Sequence, residues 1–322
     1  MKHPRRITVL AGGVGGARFL RGVKAATRGQ RETEITVIGN TGDDITMFGL
    51  RICPDLDTVM YTLGGGVHEA QGWGRPEETF AVQHELAEYG AQPQWFHLGD
   101  RDIATHLMRT RWLHEGVPLS EVTRRLCERW QPGVRLIPMS DDAVETHVRV
   151  DAAPLMHFQE WWVRHHAALP AREFVAVGAD AAKPAPGVVE AIEQADAVLL
   201  APSNPIVSIG IILAVPGIRA ALELTAAPVV GVSPIIGGAP VRGMADACLA
   251  AVGVETTAAA VGALYGPALL DGWLVDEVDA DTHVQGVGVR AVPLLMTDAD
   301  ATAALARAAL QLADDCAAGV MR

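Results

Sequence analysis

Cysteine is scarce and scattered: Cys53, Cys127, Cys248 and Cys316 form no C-x-x-C pair, which argues against disulfide staples and structural zinc. Basic blocks are missing as well. Lys and Arg number 26 against 38 Asp and Glu, for a formal charge of −12, so the composition speaks against nucleic acid as a partner. An anionic ligand must instead be held by local backbone dipoles, a metal or single Arg and Lys side chains. Of the 322 residues 49% are apolar, yet no apolar run approaches the roughly 18 residues of a membrane span. The opening MKHPRR leads into a short apolar run that ends at glycines. That run is too short for a signal-peptide core, so a cytoplasmic protein with no membrane association is expected.

Familiar catalytic signatures are absent too. Counted from Gly13, the third glycine of G-x-G-x-x-G falls on Arg18, and no acid ends the second apolar run to hold a ribose, which disfavours a nicotinamide-dependent oxidoreductase. There is no G-x-x-x-x-G-K-[ST], no G-x-S-x-G, and His84-Glu85 lacks the second histidine of H-E-x-x-H. His165-His166 lies on a polar stretch suited to solvent. No repeat of period 20–50 is visible.

What is present reads as an α/β protein: a Rossmann-like, doubly wound and mostly parallel sheet. Residues 7–11 are a short buried strand, 12–16 a glycine loop, 17–26 a helix and 34–38 a second strand. An amphipathic helix follows at 79–89, a short strand at 94–98, and helix over 101–130 broken at Gly116-Val117-Pro118, with Ser120 as N-cap of the second piece. Strands are expected at 134–138 and 145–150, while 156–164 suits either an edge strand or a helix start. From Phe174 the α/β pattern resumes, with strands at 174–177, 197–201 and 228–232 and helices at 186–194 and after Pro205. Pro205 reads as the N1 residue of its helix. A helix near 243–252, short strands at 273–275 and 287–292, and an Ala-rich helix at 298–313 complete the chain. One domain over 1–322 is expected, its two α/β halves sharing a sheet, with a mostly helical insertion at about 100–172.

The chemistry concentrates between residues 38 and 58. Asn40-Thr41-Gly42 is turn chemistry, so Asp43-Asp44 should sit at the carboxyl end of a strand, where open parallel sheets place ligands. Asp55 and Asp57 fall in the first turn of a helix started by Pro54, where carboxylates complement the dipole. Asp43 and Asp44 have no helix to cap and repel each other unless something positive lies between the pairs. A hard divalent cation, Mg²⁺, held by carboxylate oxygens and bridging to phosphates meets that need.

Other loops converge on the same edge. Gly12, Gly13, Gly15 and Gly16 before a helix expose backbone N–H groups to an anion, with Arg18 and Lys24 placed to assist. Ser203-Asn204 and the segment from Ser233 to Gly237 follow later strands in equivalent positions, and Gly99-Asp100-Arg101-Asp102 ends another. Trp161-Trp162 suits core, interface or a stacking platform. Together the loops describe one crevice for a metal-assisted reaction of a phosphate ester or nucleotide diphosphate.

The strings GGVGGARF, NTGDD, PDLDT, LGDRD-ATH, PMSDD, HFQEWW, APSNPIVSIG, SPIIGGAPVRG and LLMTD resemble, in order and from the first strand to the last helix, the 2-phospho-lactate transferase family of deazaflavin coenzyme F-420 biosynthesis. The actinobacterial branch, a phosphoenolpyruvate transferase, is the more similar. The resemblance implies transfer of a phosphoenolpyruvyl (or 2-phospholactyl) group from a guanosine-diphosphate-activated donor to the ribitol hydroxyl of the deazaflavin Fo, with release of GMP, a requirement for Mg²⁺ and a homodimer. It implies that Asp43 binds the metal, that Asp57 contacts the deazaflavin near the transferring centre, and that either aspartate orients or deprotonates the attacking hydroxyl. With Asp57 as the second metal-ligating candidate, the substrate-binding set is Gly12, Gly13, Gly15, Gly16, Asn40, Thr41, Asp44, Asp57, His97, Asp100, Arg101, Ser203, Asn204, Ser233 and Gly237. His97 stands where archaeal members carry a Lys. A related superfamily of gluconeogenesis-type factors shares the glycine loop and NTGDD, which gives the alternative of a nucleotide-sugar-binding regulatory protein.

Overall fold

The computed structural model describes residues 4–29, 32–151 and 154–320. Residues 1–3, part of the stretch on which the leader was argued, lie outside them. The chain opens with β1 (Arg5–Ala11), α1 (Gly13–Thr27) and β2 (Thr33–Gly39). A small hairpin, β3 (Ile45–Met47) and β4 (Leu50–Ile52), leads into α2 (Pro54–Leu63). Helices α3 (Ala81–Glu88), α4 (Asp100–His114) and α5 (Leu119–Trp130) precede β5 (Arg135–Pro138). Then come β6 (Glu145–Val150), β7 (Met156–His157), a π-helical turn at Glu160–Arg164 and β8 (Ala171–Val177). The second half runs α6 (Val188–Glu193), β9 (Ala197–Leu200), α7 (Ile209–Ala214), α8 (Ile218–Leu224) and β10 (Val229–Val232). A hairpin of β11 (Ile235–Ile236) and β12 (Ala239–Pro240) follows, then α9 (Ala245–Ala251) and α10 (Ala258–Tyr265). Finally β13 (Gly272–Val275), β14 (Gly288–Ala291) and α11 (Ala299–Ala317) close the chain.

Seven strands form one sheet in the order β14-β13-β10-β9-β1-β2-β5, and every pairing within it is parallel. Continuous apolar strands such as AVLL in β9, buried at every position, require cover on both faces. One face is covered by α1, α2, α5 and α11 around Phe19, Val59, Leu126 and Leu305. The other is covered by α6, α7, α8 and α10 around Ile192, Ile212, Ile218 and Val261. The strand order reverses between β1 and β9, so the crevice of a doubly wound sheet must open at their carboxyl ends. The expectation of a parallel α/β sheet holds.

The departures have physical reasons. The glycine loop is the first turn of α1, because the missing side chains let that turn pack on backbone: a Cβ on Gly15 would lie 2.7 Å from the Pro202 carbonyl oxygen. Residues 94–98 form no strand. Trp95, Phe96 and Leu98 pack on the β3–β4 hairpin, and the Leu98 N–H donates to the Gln83 side chain at 3.1 Å, which leaves no ladder to join. Ser120 lies inside α5, whose N-cap is Pro118; its N–H and hydroxyl both donate to Asp141, at 2.6 and 2.9 Å. The apolar helix after Pro205 starts only at Ile209, since Asn204 Oδ1 first accepts from the N–H groups of Ile206 and Val207. Strand β8 pairs antiparallel with β6 rather than entering the main sheet. Within 100–172 the helices end at Trp130; β5 is the edge of the main sheet, and β6, β7 and β8 form their own three-stranded sheet. The undecided stretch 156–164 is both things in turn, a short strand and then the π-helical turn.

Candidate active site

Where β1 and β9 end, the chain is tied across the switch point. Ser203 Oγ donates to the Gly12 carbonyl at 2.7 Å, and the Gly12 N–H donates back to Oγ at 3.1 Å. Gly16 packs against the same hydroxyl, which a Cβ would approach to 2.7 Å. Gly13 has φ +63, a left-handed value that glycine adopts without steric cost; it turns the chain from β1 into α1. Above this knot lies a cavity of about 1180 Å³. It is walled by the α1 N-terminus, by α2 and α4, by the 158–166 turn, and by the loops after β9, β10 and β14.

The polar centre is built on Asn40, fully buried at the end of β2. Its Oδ1 accepts from the Gly42 N–H at 2.9 Å, which closes the turn. Its Nδ2 donates to Asp55 Oδ2 at 2.9 Å, to Asp43 Oδ1 at 3.3 Å and to the Val207 carbonyl at 3.3 Å. One amide thus spans two carboxylates. Gln159 Nε2 donates to Asp43 Oδ2 at 3.1 Å. Burial, then the charges of Asp55 and Asp44, hold the Asp43 carboxyl well above its ordinary range. Burial lifts Asp55 to about 6, against hydrogen bonds from Asn40 and the Gly13 backbone.

This donor set fits a hard cation. Two cavity-lining carboxylates repel each other, and a divalent ion between them relieves that repulsion. Among the described residues no group of three His, Cys, Asp or Glu completes a metal cage, so the remaining coordination would fall to water and ligand oxygens, as is common for Mg²⁺.

Asp57, two residues on from Asp55 in the same turn of α2, faces elsewhere. Its Oδ1 accepts from Nη2 of Arg109, and Oδ2 lies 3.7 Å from His106 Nδ1. Burial, more than any charge, lowers His106 to about 4, so the ring is neutral near pH 7. Burial and then the Asp57 charge raise Asp102 to about 7. The carboxylate opposite Asp43 is therefore Asp55, which sequence reasoning assigned to helix capping. Asp44 is turned away: it lies 3.7 Å from Arg51 and lines a small separate pocket with Thr41 and Asp141. Burial raises it to about 7 against the pull of Arg51.

Of the residues proposed from sequence, Gly12, Gly13, Gly15, Asp43, Asp57, His97, Ser203, Asn204 and Ser233 line the cavity. Asn40 and Gly16 support that lining from behind. Asp100 is committed to α3, accepting from the N–H groups of Ala81 and Val82 at 3.0 Å each. Arg101 reaches the Pro76 carbonyl and Glu77, and the Gly237 N–H donates to Asp279 at 2.9 Å. These three lie outside the wall, as do Thr41 and Asp44. Of the loop Gly99-Asp100-Arg101-Asp102 it is Asp102 that reaches the wall, while sequence reasoning missed Gln159, Tyr61, His106 and Arg242, all on the wall, and Arg109 behind it. Most lie within the strings HFQEWW, LGDRD-ATH and APVRG, so the signal was present without a role attached. Trp161 is core, buried and donating Nε1 to the Leu169 carbonyl at 2.8 Å, while Trp162 joins Trp73, Phe80 and Phe96 on the wall.

Among the described residues no helix is long and apolar enough to cross a membrane. A family model described as 2-phospho-L-lactate transferase CofD matches residues 7–301. The chain is 66% identical over 316 residues to a phosphoenolpyruvate transferase of Thermobifida fusca, covering 96% of this chain and 98% of that one. It is 65% identical to the corresponding protein of Streptomyces coelicolor, with 96% and 98% covered. The Mycolicibacterium smegmatis protein of the same name is 58% identical, again with 96% and 98% covered. A solved structure of a UPF0052 family protein from Bacillus halodurans superposes with a TM-score of 0.61 at 17% identity, covering 96% of this chain and 100% of that one. That likeness is one of fold.

Proposed function

The chain belongs to the 2-phospho-L-lactate transferase CofD family, and from that premise we propose that it moves a phosphoenolpyruvyl (or 2-phospholactyl) group from a guanosine-diphosphate-activated donor to the ribitol hydroxyl of the deazaflavin Fo, releasing GMP. Mg²⁺ is the metal of this reading, Asp43 and Asp55 its protein ligands, a homodimer its assembly and the cytoplasm its place. The observation that supports it most is the pair of buried carboxylates on one amide, beside a helix N-terminus at the switch point. A bound Mg²⁺ supplies neutralisation of the diphosphate charge.

The protein's own groups do the rest. The N-terminal turn of α1 offers backbone N–H groups to donor phosphates, and its glycines let an anion approach closely. Trp73, Phe80, Phe96 and Trp162 give a flat ring an apolar wall. Asp57 is available to orient the attacking hydroxyl and take its proton, and rate comes mainly from positioning and electrostatics.

The test is mass spectrometry of the product formed from Fo and each activated donor with Mg²⁺. Wild type should give the transferred product and GMP. D43N and D55N should lose at least about 100-fold in rate, the scale of a removed electrostatic group, while keeping the wild-type circular dichroism spectrum. Undiminished turnover by both variants would refute the carboxylate-cation model.

A further inference from the structure

Beside its carboxylates the cavity wall carries permanent positive charge. Among the described residues that line it, Arg18 and Arg242 are the only Lys or Arg side chains. They come from distant segments, α1 and the loop after β12, and a glycine lets them meet. Gly72 has φ +77, and a Cβ there would lie 2.6 Å from Val14 Cγ1 and 3.4 Å from Arg242 Nη1. The bare backbone therefore fits between Val14 and the Arg242 guanidinium, whose Nη2 donates to the Gln71 carbonyl. Val14 and Arg18 stand at i and i+4 on α1, so they are neighbours on one helix face. The two guanidinium groups thus belong to one stretch of wall. Burial, then the Arg18 charge, holds Arg242 below its ordinary range.

Neither cation is neutralised within the protein. Glu69 is the carboxylate that feels Arg18, yet it is held by the fork of Arg21 at 2.7 and 2.9 Å. Among the described residues Arg18 and Arg242 have no carboxylate within ion-pair distance. Lys24, which the sequence placed to assist the glycine loop, turns its ammonium to the Leu63 and Pro132 carbonyls instead. Like charges held together without a counter-ion repel, and an anion that both can reach removes the repulsion.

We propose that Arg18 and Arg242 form the subsite for the carboxylate of the transferred acid group. The assignment rests on the transferase reading above and adds how an enolpyruvyl or lactyl donor is told from other esters of guanosine diphosphate. Such a donor has two anionic parts, the diphosphate and the carboxylate. The diphosphate already has partners in the backbone N–H groups of the α1 N-terminus and a cation between Asp43 and Asp55. The carboxylate is left, and planar guanidinium forks match its geometry. Enolpyruvyl and lactyl groups both present it, so this subsite selects for the acid and is indifferent to the C=C bond.

The test compares the enolpyruvyl donor with its carboxyl methyl ester, in the presence of Mg²⁺. By calorimetry wild type should bind the ester about 10- to 100-fold more weakly, the scale of hydrogen bonds to a charged group; kcat/KM should fall in parallel. R18M, which removes the half-buried guanidinium, should weaken the free acid on that same scale, about 10- to 100-fold. R242M removes the exposed one and should cost about two- to fivefold. The double variant should bind acid and ester within about twofold of each other, because the charge-assisted bonds are gone. GDP, which lacks the carboxylate, should bind every variant within about threefold of wild type. The ester comparison needs no substitution, so it tests the subsite even where a variant disturbs the wall.

A wild type that binds acid and ester alike would overturn the proposal. So would a double variant that keeps the wild-type preference, or variants that lose GDP as strongly as the donor, which would assign the arginines to the diphosphate or the base. Preference for the acid without any transfer would overturn the transferase reading alone.

Discussion

Asn40 is the residue on which the site turns, because its amide donates to both Asp43 and Asp55. Hydrogen bonds to charged acceptors contribute more than neutral ones, and a buried carboxylate left without them keeps its full desolvation cost. Asn40→Ala removes both bonds and the turn closure to Gly42, so it should destabilise the protein by about 3 kcal/mol, measured as the shift of the urea midpoint. A shift below about 0.5 kcal/mol would show that the two carboxylates do not depend on this amide. The residue types at this centre were legible: the NTGDD turn announced a carboxylate site, and Asp43 is on the cavity wall. The partner was not. Asp55 and Asp57 share a helical turn and look equivalent in sequence, and only the direction of each side chain separates the one held by Asn40 from the one paired with Arg109.

At the scale of an element, α4 shows how one helix can serve a site without a recognised motif. Asp102, His106 and Arg109 recur at helical spacing, so they share a face, and that face turns toward α2 and the cavity. Asp102 offers a pH test. Its folded carboxyl is raised to about 7 by burial and the Asp57 charge, against about 4 in an unfolded chain. Between those values the native state holds a proton that the unfolded state has released, so the contribution of Asp102 to stability falls as pH rises through that window and is level above it. Asp102→Asn removes the slope. Its stability relative to wild type should grow from near zero at pH 4 to about 2–4 kcal/mol above pH 7, followed by thermal melts across pH. A constant offset over that range would mean that Asp102 ionises as freely as an exposed carboxylate.

Across the whole molecule, both apolar layers run under the two halves of the sheet. The layer with Phe19 and Val37 also holds Leu199, Val230 and Leu274, and the opposite layer joins Leu10 and Ile38 to Val198, Val229 and Trp273. Such shared packing predicts one cooperative unit. Hydrogen exchange should show β1, β2, β9 and β10 opening together at the highest free energy, with 64–80 and the β11–β12 hairpin exchanging first. Separate opening of the halves, with β1 and β9 differing by more than about 2 kcal/mol, would contradict it.

The sequence by itself determined the layer type and most of the elements. Continuous apolar runs such as ITVLA and AVLL can be satisfied only inside a covered parallel sheet, and proline and glycine mark where the runs stop. It also determined which loops hold the chemistry, because glycines, carboxylates and hydroxyls gather after those strands. Tertiary structure alone decided which side chains face one another: Asp43 with Asp55, Asp57 with Arg109, His106 with its Nδ1 toward the guanidinium. Those pairings join segments that local propensity treats independently, and they are fixed by the strand order and by the angle at which α2 and α4 meet the carboxyl edge. Periodicity along one chain encodes burial, which is a property of a residue and its face; it does not encode the contact between two faces, which arises only once both are packed.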